Sequence, residues 1–184
     1  MNREQVLQQL SAHRAFDTHE EQMRRRIAGF VTAHELFHSR TLAIGHLTAS
    51  AWILDETYSH ALLLHHGKLH KWLQPGGHVE SDPDMQTAAW REAREESGLH
   101  KVRPVFNDIF DVDVHAIPAR PGEPAHDHYD IRFLFTADRS APLTLSSESK
   151  SLAWVALERI AEMTPEESVL RMVRRTERLK RLAR

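Results

Sequence analysis

The sequence predicts an α/β or α+β sandwich, on three observations. Five short apolar or alternating runs, LTASAWILD, HALLLHH, FDVDVHAI, HYDIRFLFTA and SLAWVAL, read as strands. They enclose one well-delimited helical segment, and further helical patterns stand at both ends of the chain. The length, 184 residues, suits one ordinary domain, able to bury roughly 70% of its unfolded surface without a disulfide or structural metal.

The first 40 residues are polar and helical. Val6, Leu7 and Leu10 share one face, and a break follows near Phe16 and Asp17. Thr18 and Glu21 have the spacing of a capping box. They open a second helix that carries Met23, Ile27, Phe30, Val31, His34 and Phe37 at helical spacing. These segments form an amino-terminal extension, residues 1–44, ahead of a main domain, 45–184. Their apolar stripe needs burial, which a cap on the sandwich or a homodimer interface would supply. Strands begin at Leu47, and the second ends in a Gly67-Lys68 turn. A helix is expected over about 83–97, with Asp82 as N-cap, Pro83 at its first position and Gly98 ending it. The two alternating strands after it flank the loop PARPGEPAHD. The last strand leads into a short helix near 157–162 and a long one from Pro165.

Composition excludes several classes. The absence of cysteine removes disulfide scaffolds, thiol nucleophiles and cysteine-based zinc fingers. With 24 Lys+Arg against 26 Asp+Glu, bulk charge implies no nucleic-acid partner. The basic face of the last helix, Arg171, Arg174, Arg175, Arg178, Lys180, Arg181 and Arg184, reads as solvated, with an RNA end as its alternative partner. The longest nearly uncharged stretch, 41–54, holds His46, Thr48 and Ser50 and is too short to cross about 30 Å of hydrocarbon. The amino terminus has no signal-peptide pattern. A cytoplasmic protein with no membrane partner is expected.

The segment 76–99 carries the chemistry. Glu92, Glu95 and Glu96, spaced i, i+3, i+4, project from one helix face within a turn and a half. Like charges so placed repel unless a cation joins them, and hard oxygen donors suit Mg²⁺ or Mn²⁺ rather than zinc. Arg91 is placed to orient the acids, while Met85, Ala89 and Ala93 form a small apolar stripe for packing on a sheet. Taken alone, such a charge run is more often a solvated face.

The spacing to the preceding glycine decides between these readings. Gly77, Arg91, Glu92, Ala93, Glu95, Glu96, Gly98 and Leu99 resemble the Nudix box, G-x5-E-x7-R-E-U-x-E-E-x-G-U with U aliphatic. The resemblance covers roughly 47–157, leaving the first 40 residues outside it. It implies a Nudix-type α/β/α sandwich with a mixed sheet. It also implies a divalent-metal-dependent hydrolase that cleaves a pyrophosphate bond in a nucleoside diphosphate linked to another moiety. On that resemblance Glu92, Glu95, Glu96 and the Gly76 carbonyl would hold Mg²⁺ or Mn²⁺. The catalytic set would be Arg91, Glu95, Glu96 and Glu148, with Glu96 and Glu148 alternative bases for water attacking phosphorus in line. One departure stands out: the first glutamate of the box is here Pro83, so its role is lost or passes to Asp84 or Glu80. A fold relative that binds a nucleotide-type ligand without hydrolysing it is therefore the nearer alternative. The isomerase branch of this fold depends on a cysteine that the chain lacks.

Alternation places Asp111, Asp113 and His115 on one strand face, and His128, Asp130 and Arg132 on another. Paired as a hairpin, the two faces would merge beside His126, either facing water or, with His78, lining a small-molecule substrate cleft. Histidine there would bind phosphate oxygens or a second metal, and Arg132 suits phosphate. His34 and His38 match HExxH, which keeps a zinc metalloprotease as a distant alternative. His13, His19, His46, His60 and His100 are assigned to surface or local packing.

Overall fold

A computed structural model describes residues 1–79, 81–122, 124–147 and 149–182. The helices are α1 (Arg3–Ala12), α2 (Thr18–Ala33), α3 (Met85–Ser97), α4 (Ile160–Met163) and α5 (Glu167–Leu182). The strands are β1 (Gly45–Asp55), β2 (His60–His66), β3 (Trp72–Leu73), β4 (Gly76–His78), β5 (Arg103–Pro104), β6 (Asp111–Ile117), β7 (His126–Ala137) and β8 (Ser149–Ala156). They form one sheet of order β3-β2-β1-β7-β5, with β4 on β1, β6 on β7 and β8 on β2. This is the α/β class expected from the strand and helix patterns. The two-residue strands are too short for alternation to reveal. Close contacts gather the chain into two compact units, residues 1–50, 77–89 and 107–133, and residues 51–76, 90–106 and 134–184.

In the first unit the extension buries its own stripe. Val6, Leu10, Ile27 and Val31 are fully enclosed, and Phe30 stacks on Tyr129 with ring centroids 3.9 Å apart. Helix α2 is joined to β6 by Glu20, a fully buried carboxylate. It accepts the Val112 amide at 3.2 Å and the His13 ring at 2.8 Å, and it also takes the Phe16 amide. The N-cap of α2 is Asp17, not Thr18: its side chain accepts the Glu20 amide at 2.8 Å.

The helix stops at Ala33, four residues short of the expected Phe37. His34 is extended and 35–38 form a turn, beyond which the Phe37 carbonyl accepts the Leu47 amide at 2.8 Å at the entry to β1. HExxH therefore does not lie on one helical face, and the zinc-protease geometry is lost.

Helix α3 begins later than expected, at Met85, and is capped by Asp84 rather than Asp82. The Asp84 carboxylate accepts the Thr87 amide at 2.8 Å and its hydroxyl at 3.0 Å. At the far end Gly98 adopts φ +73° and donates its amide to the Arg94 carbonyl at 2.8 Å. A Cβ there would lie 2.5 Å from Thr144 Cβ, so conformation and space both require glycine.

In the second unit β2 and β8 pair antiparallel from His60 opposite Ala156 to His66 opposite Ser149. Asp55 closes the β1–β2 turn, accepting the Ser59 and His60 amides at 2.7 and 2.9 Å. Burial would raise its pKa, but these bonds and the Thr57 and Ser59 hydroxyls outweigh that and hold the carboxyl below its usual range. The buried Trp52 ring donates to Thr176 on α5 at 3.0 Å. Arg171, expected on the basic face of this helix, is instead fully buried beside Val169 and Met172.

Replacing Glu20 by alanine strands the buried Val112 and Phe16 amides. Chemical denaturation should show a loss of about 2 kcal/mol or more, since each buried unsatisfied donor costs about 1–3 kcal/mol.

Candidate metal and substrate site

The acidic end of α3 is organised by one guanidinium. Arg91 Nη1 donates to Glu92 Oε1 at 2.8 Å and, one turn on, to Glu95 Oε2 at 3.0 Å. Glu92 is largely enclosed, whereas the Glu95 side chain is 59% exposed. Glu96 points away from solvent and accepts the Gly76 amide at 2.8 Å, which ties the strand end at Gly76 to the carboxylate turn. Trp90 steadies the helix by donating to the Val102 carbonyl at 2.9 Å, with the Arg94 guanidinium 4.5 Å over its ring. Three carboxylates gathered about one guanidinium supply hard oxygen donors, which fits a divalent cation. Asp84, next to Pro83, spends its carboxylate oxygens on the Thr87 amide and hydroxyl at the helix cap. Glu80 and Glu148 lie outside the described residues.

The hairpin expected around the Pro/Gly loop forms in antiparallel register. Asp111 faces Arg132, Asp113 faces Asp130 and His115 faces His128. Arg132 is buried, with Nε 2.7 Å from Asp130, Nη1 3.1 Å from Asp111 and Nη2 3.6 Å from Asp113. Thr48 and Ser50 of β1 donate to Asp130 at 3.1 and 2.8 Å. Burial alone would depress the Arg132 pKa, but the carboxylates of Asp130, Asp111 and Asp113 outweigh it and keep the guanidinium charged. The sequence placed these four on a substrate-facing patch. The structure unites them on one face, yet their burial turns the groups toward one another instead of toward solvent.

Further along the same face the acids give way to imidazoles. The rings of His46, His78 and His128 have centroids 4.9 to 5.4 Å apart. His126 lies 5.0 Å from His128, and His115 lies 6.3 Å from it. His126 Nδ1 donates to the Pro124 carbonyl at 2.9 Å, and its Nε2 is 3.1 Å from His128 Nε2. Burial, then the neighbouring rings of His46, His78, His115 and His126, push the His128 pKa from 6.5 down to about 2. His46 was read as local packing, yet it is buried at the centre of this group. Its signal was present in β1, where His46, Thr48 and Ser50 alternate with Leu47, Ala49 and Ala51.

Fold and site together define an α/β protein with a glycine-entered, three-carboxylate helix suited to a divalent cation. The chain belongs to the Nudix family: the NUDIX domain model matches residues 45–175. No curated protein matches the sequence. Among solved structures, the chain is similar to a Caenorhabditis elegans Ap4A hydrolase in a binary complex. The two share 21% identity and a TM-score of 0.58, over 72% of this chain and 96% of that one. It is also similar to a Nudix-family hydrolase from Clostridium perfringens, with 26% identity, TM-score 0.54 and coverage of 73% and 97%. A MutT protein from Methanosarcina mazei Go1 gives 24% identity, TM-score 0.53 and coverage of 76% and 97%.

Truncating Arg132 to methionine leaves three buried carboxylates without their cation. Denaturation should report a loss of about 3–5 kcal/mol, the usual penalty for breaking a buried ion network from one side. His128 gives a pH signature of the same sign as a paired acid, but its window opens at the histidine value of 6.5. Its folded pKa is depressed, so below 6.5 the unfolded chain takes up a proton that the folded chain refuses. In chelator-treated protein stability should be complete above that pH and decline below it, by up to about 1.4 kcal/mol per pH unit. A His128→Asn variant should decline less steeply in denaturant titrations on either side of pH 6.5.

Proposed function

We propose that the protein is a divalent-metal-dependent hydrolase, cleaving a pyrophosphate bond in a small molecule that joins a nucleoside diphosphate to another moiety. The observation that carries this reading is the α3 arrangement, in which Arg91 bridges Glu92 and Glu95 while the Gly76 amide holds Glu96. Family membership supports it, as do the nucleotide hydrolases among the structural relatives. Glu92, Glu95, Glu96 and the Gly76 carbonyl would hold Mg²⁺ or Mn²⁺. Such a cation neutralises diphosphate charge and acidifies water. Arg91 fixes two of the carboxylates in one geometry, and the Gly76 amide orients Glu96. The proton of the attacking water passes to a carboxylate, with Glu96 and Glu148 as the candidate bases. A small-molecule substrate is favoured over an RNA end because Arg171 is buried and Arg174 is paired with Glu167. No helix among the described residues is long and apolar enough to cross a membrane.

A ligand-binding role without hydrolysis is the second reading, favoured by Pro83 and by the commitment of Asp84 to the cap. One screen separates the two. Phosphate release is measured over dinucleoside polyphosphates, nucleotide sugars, ADP-ribose and nucleoside triphosphates with Mg²⁺ and Mn²⁺. Glu95→Gln and Glu96→Gln should each lower kcat by about 100-fold or more with the fold intact. Binding without turnover in the wild type, or variants equal to it, would end the hydrolase reading.

A further inference from the structure

The imidazole group on β1, β4 and β7 differs in kind from the carboxylates of α3. We propose that His46, His78 and His128 form a second metal site, one that takes a divalent transition ion of the zinc or cobalt class. One ligand nitrogen from each of the three lies within 4.8 Å of those of the other two. Tetrahedral zinc at about 2.0–2.1 Å from each nitrogen places ligand atoms about 3.3 Å apart, so small side-chain rotations close the site. Each histidine stands on a different strand, and strands fix ligand geometry more tightly than loops do. Imidazole selects zinc, cobalt, nickel or copper over magnesium, so the two sites divide by ligand chemistry.

Depth and surroundings also suit a cation. His46 is buried, while His78 and His128 are half-buried. Three protein ligands leave the fourth position of a tetrahedral ion to water or an anionic oxygen, unlike the four protein ligands of a closed structural site. His126 adds the outer contact such sites use. Its Nδ1 is held by the Pro124 carbonyl, so the ring is fixed in orientation where its Nε2 meets His128. The remaining histidines form no comparable group among the described residues. His65 packs on Trp72 with centroids 5.3 Å apart, and His70 is bonded to Lys150 at 2.9 Å.

The full chain is stripped with chelator and titrated with Co²⁺ and Zn²⁺ in excess Mg²⁺, following the visible spectrum and thermal stability. Wild type should take a single equivalent with the intense visible bands of low-coordinate, nitrogen-ligated cobalt, and Zn²⁺ should raise its Tm. Affinity should fall by about 100-fold or more in His78→Ala and His128→Ala, and stay unchanged in Glu95→Gln and His34→Ala. Weak bands of octahedral, all-oxygen cobalt in the wild type would overturn the proposal, as would binding lost in Glu95→Gln but kept in His78→Ala. The cobalt spectrum of the wild type decides the matter even where a histidine variant fails to fold. Because the readout is metal binding, the result is independent of whether any diphosphate is hydrolysed.

Discussion

The guanidinium of Arg132 is the constraint on which the first unit depends. A sheet that turns a polar face inward must neutralise it there, and one buried cation satisfies Asp111, Asp113 and Asp130 from three directions. This network spans β6 and β7 and draws in β1 through Thr48 and Ser50. A one-residue slip of β6 or β7 would break it and also send the apolar Val112, or Ile131 and Phe133, to the wrong side. Charge pairing and apolar burial therefore specify the same register. Such a network is better evidence of specificity than of stability, because desolvation offsets much of the Coulomb attraction.

Once that register is set, the histidines have no freedom of placement. His115 and His128 continue the rows begun by Asp113 and Asp130, and His46 continues the row of Thr48 and Ser50. The same strands thus pass from a closed ionic segment to a half-open imidazole segment. The α3 carboxylates are organised differently, by contacts local to one helix turn and one strand end. Two unlike devices, one long-range and one local, present donors of two different kinds.

Much of this was legible in the residues. The hairpin faces of β6 and β7 followed from strict alternation, and the acidic turn of α3 from i, i+3, i+4 spacing. What escaped had physical reasons. Periodicity suggests a helix through Phe37, but the chain leaves α2 at Ala33 and turns toward β1, where Phe37 and Leu47 are joined by a backbone bond that the pattern cannot reveal. Asp82 before Pro83 has the pattern of a cap, but the helix starts two residues later, where Asp84 bonds to Thr87. His46 was passed over because β1 reads as an apolar run, and its alternation is masked by small polar residues that sit comfortably in a core. Arg171 shows the reverse error, since a helical wheel assigns every arginine to solvent and cannot see an interior site for one.

The Glu20 contact bears on assembly as well as on packing. Among the described residues β6 pairs with β7 alone, so its other side is an edge whose amides would otherwise invite a strand from another molecule. A carboxylate from α2 occupies one of those donors. A single side chain that accepts a hydrogen bond but offers no backbone of its own closes the edge without extending the sheet. The amino-terminal helices thus contribute a cover to a strand edge, a role separate from burying their own apolar stripe.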